Sequence, residues 1–138
     1  MHDIDVAIIG GGQAGLAMSR CLSRLGIDHL VFERGDAGER WRSATWPSLR
    51  LLTPNWMNWL PDAPYKGSDP DGFMTRDEFV TYLEEYAASA PVLTRTKVDA
   101  VRLETGRYEI ATSAGTWRAR VVVLATGQCD LPCVPAMA

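Results

Sequence analysis

Gly10-Gly11-Gly12-Gln13-Ala14-Gly15 and, further along, Glu33 are the residues whose types and spacing can do chemistry. Gly10 permits a tight turn out of a strand. Gly12 has no side chain, so the backbone can approach a pyrophosphate, and Gly15 lets the following helix lie close to the strand. The free N–H groups of the first helical turn, at Gln13 and Ala14, add their partial positive charge for an anion. A carboxylate roughly 20 residues on is the expected ribose acceptor, and Glu33 stands there. Its charge repels a 2′-phosphate, so this cradle suits FAD or NAD and disfavours NADP.

A turn of this kind works only between the right elements. Asp5-Val6-Ala7-Ile8-Ile9 is a short apolar run of the sort that forms a buried parallel strand. Leu16 to Leu25 has no proline or glycine and predicts a helix. Leu30-Val31-Phe32 predicts a second strand with Glu33 at its tip. Further on, Thr75 and Glu78 have the spacing of a capping box. Phe79, Val80, Leu83, Tyr86 and Ala87 recur at helical spacing, and Pro91 ends that helix. Val92-Leu93 is a short strand candidate. Strands are expected at Val98 to Leu103, Tyr108 to Thr112 and Trp117 to Leu124, with turns at Gly106 and Gly115. They form a three-stranded antiparallel meander. Its last strand becomes wholly apolar at Val121-Val122-Val123-Leu124, which suggests a return to the buried parallel sheet. Ala125-Thr126-Gly127 then lies at the carboxyl end of that strand, where open α/β sheets bind ligands. The fold class is therefore α/β: a Rossmann-like, mainly parallel sheet with helices, plus the meander.

Composition narrows the function classes. The chain has 138 residues, 46% hydrophobic and 22% charged, with net charge -3. That length is about one domain, residues 1–138. The charge gives no argument for nucleic acid or an anionic membrane, and no run is long enough to span a bilayer. The acidic start enters a strand at once, leaving no room for a signal peptide, so the expected location is cytoplasmic. Cys21, Cys129 and Cys133 lack metal-ligand or redox spacing. They are expected to be reduced thiols, with Cys21 a small buried residue of the first helix.

Residues 35–72 are expected to be irregular, rich in Gly, Pro, Asp and Trp. Trp41, Trp46, Trp56 and Trp59 argue against disorder there, and each taken singly suits packing better than ligand contact. His2 lies at a terminus and His29 away from the ligand end. Asn55 and Asn58 suit turns. Asp69-Pro70-Asp71-Gly72 suits a solvated turn, and no metal site is expected.

Several stretches together resemble the FAD-dependent oxidoreductases with two dinucleotide-binding domains. More narrowly, they resemble the flavin-containing monooxygenases of Baeyer–Villiger and N-hydroxylating type, including bacterial flavoproteins labelled as involved in potassium transport. The carrying residues are Phe32-Glu33-Arg34 with Gly38-Glu39-Arg40-Trp41-Arg42, Trp46 to Pro54, Phe73 to Phe79, Leu124-Ala125-Thr126-Gly127, Pro132 and Pro135. The resemblance implies an FAD pyrophosphate on Gly10, Gly12 and Gly15, and its ribose on Glu33. Arg34 would lie beside the adenine, and Val98 would meet it through the backbone. Trp41 and Arg42 would sit near the pyrophosphate and flavin, with Thr126 and Gly127 closing over the cofactor. Glu39 departs from the family's second glycine there, and its charge must meet solvent, Arg40 or Arg42.

In that family NADPH reduces the flavin, and a C4a-(hydro)peroxyflavin then inserts one oxygen atom into a small organic substrate. This sequence has no second glycine-rich turn for NADPH and no Phe-x-Gly-x-x-x-His signature. It is thus expected to be the FAD-binding portion of such an oxidoreductase, self-associating or working with a companion NADPH-binding domain. Two alternatives stay open: an FAD-dependent NAD(P)H reductase of the same architecture, and a non-catalytic dinucleotide-binding module. The lack of Cys-x-x-Cys and the Trp-rich segment count against the first. Flavin held without NADPH turnover would mark the second, unless a companion chain supplying the NADPH-binding domain restores turnover.

Overall fold

Side chains along the first strand alternate between two apolar faces, and the whole architecture follows from covering both. In the computed structural model, which describes residues 1–137, this strand is β1 (His2–Ile9). Val6 and Ile8 face one way, packing with Val31, Leu22, Val92 and Val123. Ala7 faces the other, with Phe32, Ile110, Trp117 and Ala119. After α1 (Gln13–Arg24) the chain enters β2 (His29–Phe32). A short α2 (Glu39–Ser43) and a 3-10 turn at Asn55–Met57 interrupt the segment that was expected to be irregular. Then come α3 (Arg76–Ala87), β3 (Val92–Leu93), β4 (Val98–Glu104), β5 (Arg107–Thr112) and β6 (Gly115–Leu124).

The six strands form one sheet in the order β3-β2-β1-β6-β5-β4. Pairing is parallel from β3 to β6 and antiparallel through β6, β5 and β4. β6 therefore serves both parts. Trp117 pairs with Ile110 of β5, while Val121 to Leu124 pair only with Val6 to Ile9 of β1 among the described residues. The expected return to a buried parallel sheet at Val121 needs correction: β6 pairs with β1 from Trp117 onward, and Val121 and Leu124, which β5 no longer flanks, are exposed. The β4–β5 hairpin closes on Thr105 and Gly106, both at positive φ, the backbone of a tight two-residue turn.

α3 begins with the anticipated capping box. Thr75 Oγ1 accepts the Glu78 N–H, and Glu78 accepts the Thr75 N–H at 2.7 Å. Its apolar face, with Phe79, Leu83 and Tyr86, packs with Leu16 of α1 and Met74. The Asn55 side chain knits this region: its amide donates to the Asp69 carbonyl and its oxygen accepts the Met74 N–H. Asn58 likewise donates to the carbonyls of Thr53 and Pro54.

Three further expectations need correction. Cys21 is exposed, because the buried face of α1 is set by Gly15, Leu16 and Ser19, and Cys21 falls on the opposite side. Only Trp41 packs inward, edge-on against Phe79; Trp46, Trp56 and Trp59 are 57–64% exposed. Gly115 belongs to β6, so that turn is made by Ser113 and Ala114.

Candidate functional site

The carboxyl ends of β2, β1 and β6 converge on the Gly10–Gly15 turn, and three backbone contacts fix it. Gly10 donates to the Phe32 carbonyl at 2.9 Å, Ala125 donates to the Ile9 carbonyl at 2.8 Å, and Gly38 donates to the Gly11 carbonyl at 3.1 Å. The turn is thus tied to β2, β6 and the start of α2.

Each glycine meets a different neighbour. Gly10 has φ +110°, and a Cβ on it would fall 2.3 Å from the Ala125 carbonyl oxygen. A Cβ on Gly15 would fall 1.9 Å from the Gly10 oxygen, so only glycine lets α1 begin this close to β1. A Cβ on Gly12 would meet nothing within 4 Å. Gly12 is also the N-cap of α1 and offers no side-chain cap. The first helical N–H groups, from Gln13 onward, have no intrahelical partner. Together, open space, uncapped amides and a helix N-terminus fit a diphosphate.

Glu33 stands beside this space, 9% exposed. One oxygen accepts the Gly11 N–H at 2.7 Å and the other the Gly35 N–H at 2.8 Å. A carboxylate has about four acceptor positions, so both oxygens retain capacity for ribose hydroxyls. Gly11 is the residue the sequence reading passed over: a Cβ there would lie 2.9 Å from the Glu33 Cβ. Its signal was present, a glycine between Gly10 and Gly12 at a position where the pattern accepts any residue.

The remaining candidates divide. Thr96 donates to the Glu33 carbonyl at 2.8 Å and Arg95 to the Gly35 carbonyl at 2.9 Å, which brings the approach to Val98 alongside Glu33 and Arg34. Thr126 and Gly127 follow Ala125 directly and lie at the mouth of the turn, Gly127 with φ +74°. Trp41 and Arg42 are turned toward α3. Arg42 pairs with Glu39 at 2.9 Å and with Glu84, and this meets the requirement that the Glu39 charge be compensated. His29 is buried and serves packing: Ile27 and Ser19 take up its two ring nitrogens at 2.8 Å each. A separate cavity of about 440 Å³ lies between α3 and the 62–67 segment, walled by Tyr65, Tyr82 and Tyr86, and includes none of the glycine-turn residues.

Arg34 carries a further contact that no local pattern announced. Its guanidinium grips Asp130 with both nitrogens, and Arg40 adds a third contact to the same carboxylate at 3.3 Å. The paired hydrogen bonds hold the Asp130 carboxyl below its ordinary range and push Arg34 up.

This sheet, with an uncapped helix at its switch point and a carboxylate on the adjacent strand, defines a Rossmann-like fold of the dinucleotide-binding class. The pyridine nucleotide-disulphide oxidoreductase family model matches residues 7–138, and the chain belongs to that family. It is 38% identical to an uncharacterized CzcO-like oxidoreductase of Geobacillus kaustophilus, over 99% of this chain and 40% of the relative. It is 33% identical to the indole-3-pyruvate monooxygenase YUCCA1 of Oryza sativa subsp. japonica, over 93% of this chain and 33% of the relative. Among solved structures it superposes on the flavin-containing monooxygenase from Stenotrophomonas maltophilia with TM-score 0.88 and 31% identity, covering 98% of this chain and 42% of that one. The chain is thus of flavin-monooxygenase type and spans well under half the length of these relatives. Among the described residues no helix is long and apolar enough to cross a membrane.

Proposed function

We propose that this chain is the FAD-binding portion of an NAD(P)H-dependent flavoprotein monooxygenase that inserts one oxygen atom into a small organic substrate. The observation that carries the reading is the pairing of the open, uncapped turn at Gly12 with the Glu33 carboxylate pinned by Gly11 and Gly35. That arrangement has a place for a diphosphate and a place for a ribose, side by side. The kinship with named monooxygenases supports the reaction class.

In this reading the amides of Gly12, Gln13 and Ala14 face the FAD pyrophosphate, while Gly10 and Gly15 keep the turn tight enough to present them. Glu33 accepts from the adenosine ribose. Arg34 and the backbone at Val98 flank the adenine, and Thr126 and Gly127 border the cofactor on the β6 side. Trp41 and Arg42 act by holding α2 against α3, which keeps Gly38 bonded to Gly11. When bound, the flavin supplies the redox chemistry; these residues orient it and exclude water. A companion NADPH-binding domain would supply the hydride. Three free thiols fit a reducing, cytoplasmic setting.

Titrating the purified chain with FAD, ADP and FMN tests the reading. Binding of FAD and ADP, with FMN much weaker, is expected, because the cradle is built for the adenosine diphosphate half. FMN binding as tight as FAD would count against it.

A further inference from the structure

The segment that leaves β6 crosses the mouth of the cradle. β6, β1 and β2 are successive neighbours in the sheet. Ala125 still pairs with Ile9 beside β1, yet Asp130, five positions later, meets Arg34 just past the end of β2. Two strand spacings are about 10 Å, well within the reach of five residues. Residues 126–130 therefore pass over the carboxyl end of β1, where the glycine turn lies.

We infer that Asp130 latches this segment as a strap over the bound dinucleotide, and that Arg34 and Arg40 together are its catch. This rests on assigning the cradle to a dinucleotide. Three observations support it. The strap is held at both edges of the crevice: Ala125 is bonded to Ile9 on the β6 side, and on the β2 side Arg34, which follows Glu33, and Arg40 of α2 both grip Asp130. Arg40 also donates to the Cys129 carbonyl, so it grips backbone as well as side chain. Lastly, the three charged side chains are 44–59% exposed. Exposed ion pairs are weak and screened by salt, so the catch can open on the time scale of ligand exchange. Asp130 is a positioning residue in this account; it acts by holding the strap.

A gate that opens and closes with similar ease over empty and filled cradles changes both rates together. Stopped-flow mixing of the 138-residue chain with FAD, read by flavin fluorescence, should show this. Asp130→Asn and Arg40→Gln are each expected to raise the association and dissociation rates about fivefold, leaving Kd within about twofold; such a change corresponds to about 1 kcal/mol, the scale of an exposed ion-pair network. Asp130→Glu should restore slow exchange, and high salt should bring the wild-type rates up to those of Asp130→Asn. A faster dissociation with unchanged association would mean a loosened cradle and would overturn the strap. Faster association alone would mean that Asp130 competes with the nucleotide, and would also overturn it. Hydrogen exchange of residues 128–137 without ligand separates the two layers. If the wild type binds neither FAD nor ADP, the cradle assignment and the gate fall together. Faster exchange in Asp130→Asn would then show that the catch itself exists.

Discussion

The Glu33 carboxylate and the Gly11 N–H meet at 2.7 Å, linking the end of β2 to the turn that follows β1. This one bond joins the ribose acceptor to the pyrophosphate cradle. The same residue is therefore needed to shape the site and to read the ligand.

Glu33→Ala should show both roles. It leaves the Gly11 and Gly35 N–H groups without their acceptor, at a cost of about 1–3 kcal/mol for each that water cannot reach. Chemical denaturation should register that loss. FAD affinity should fall at least about tenfold more than FMN affinity, because only FAD offers the adenosine ribose to a charged acceptor. Equal losses for the two flavins would remove Glu33 from the ribose.

Gly12 and Gly15 should behave oppositely. Gly12→Asp puts charge and bulk into open space, so the thermal midpoint should hardly move while FAD binding is abolished. Gly15→Ala drives a methyl group to 1.9 Å from the Gly10 oxygen, and should destabilise the fold by about 2 kcal/mol or more. Thermal melts beside FAD titrations separate the two cases. Unimpaired flavin binding by Gly12→Asp would place the pyrophosphate elsewhere.

Thr75→Ala removes one half of the α3 capping box and should cost about 1 kcal/mol. The Glu78 carboxyl is held below its ordinary range, chiefly by the Thr75 N–H and then by the Thr75 hydroxyl. A lowered folded-state value means that this contribution is complete above about pH 4.3 and fades as pH falls through the lowered value. In Glu78→Gln the acid limb of the stability profile should be shallower over that window. An unchanged limb would show that the box contributes nothing there.

Val121 and Leu124 are 50% and 74% exposed on the half of β6 that has no partner beyond β1 among the described residues. An open apolar edge of this kind invites pairing. The purified chain is expected to self-associate, and Val121→Lys to shift it toward monomer in light scattering. A wild type that stays monomeric at high concentration would contradict this.

Much of this was legible in the sequence because the signals are local. The apolar run before Gly10, the glycine spacing and Glu33 each lie within one β-α-β unit, and Thr75 and Glu78 sit three apart. The strand periodicity of 98–124 located the meander, but the apolar run at Val121 marks only where β5 stops covering β6, since β6 already pairs with β1 from Trp117. What escaped depends on distance or helical phase. Asp130 lies 96 residues from Arg34, and nothing in either neighbourhood announces the pair. The inward turn of Arg42 needs Glu84, 42 residues away on α3. The exposure of Cys21 was readable from the Leu16 and Ser19 spacing, but a general preference of cysteine for burial outweighed it. Tryptophan type alone cannot distinguish Trp41, which meets Phe79, from Trp46, Trp56 and Trp59, which meet solvent.

The central claim is most directly tested by a visible absorption spectrum of the purified chain, before and after FAD, followed by NADPH without air. The account predicts a bound, oxidised flavin spectrum that NADPH leaves unbleached, since the proposed cradle lies within these 138 residues and they contain no second glycine-rich turn to hold the hydride donor. Absence of any bound flavin after FAD addition would contradict the cradle, and bleaching by NADPH would contradict the assignment of the chain as the FAD-binding portion alone.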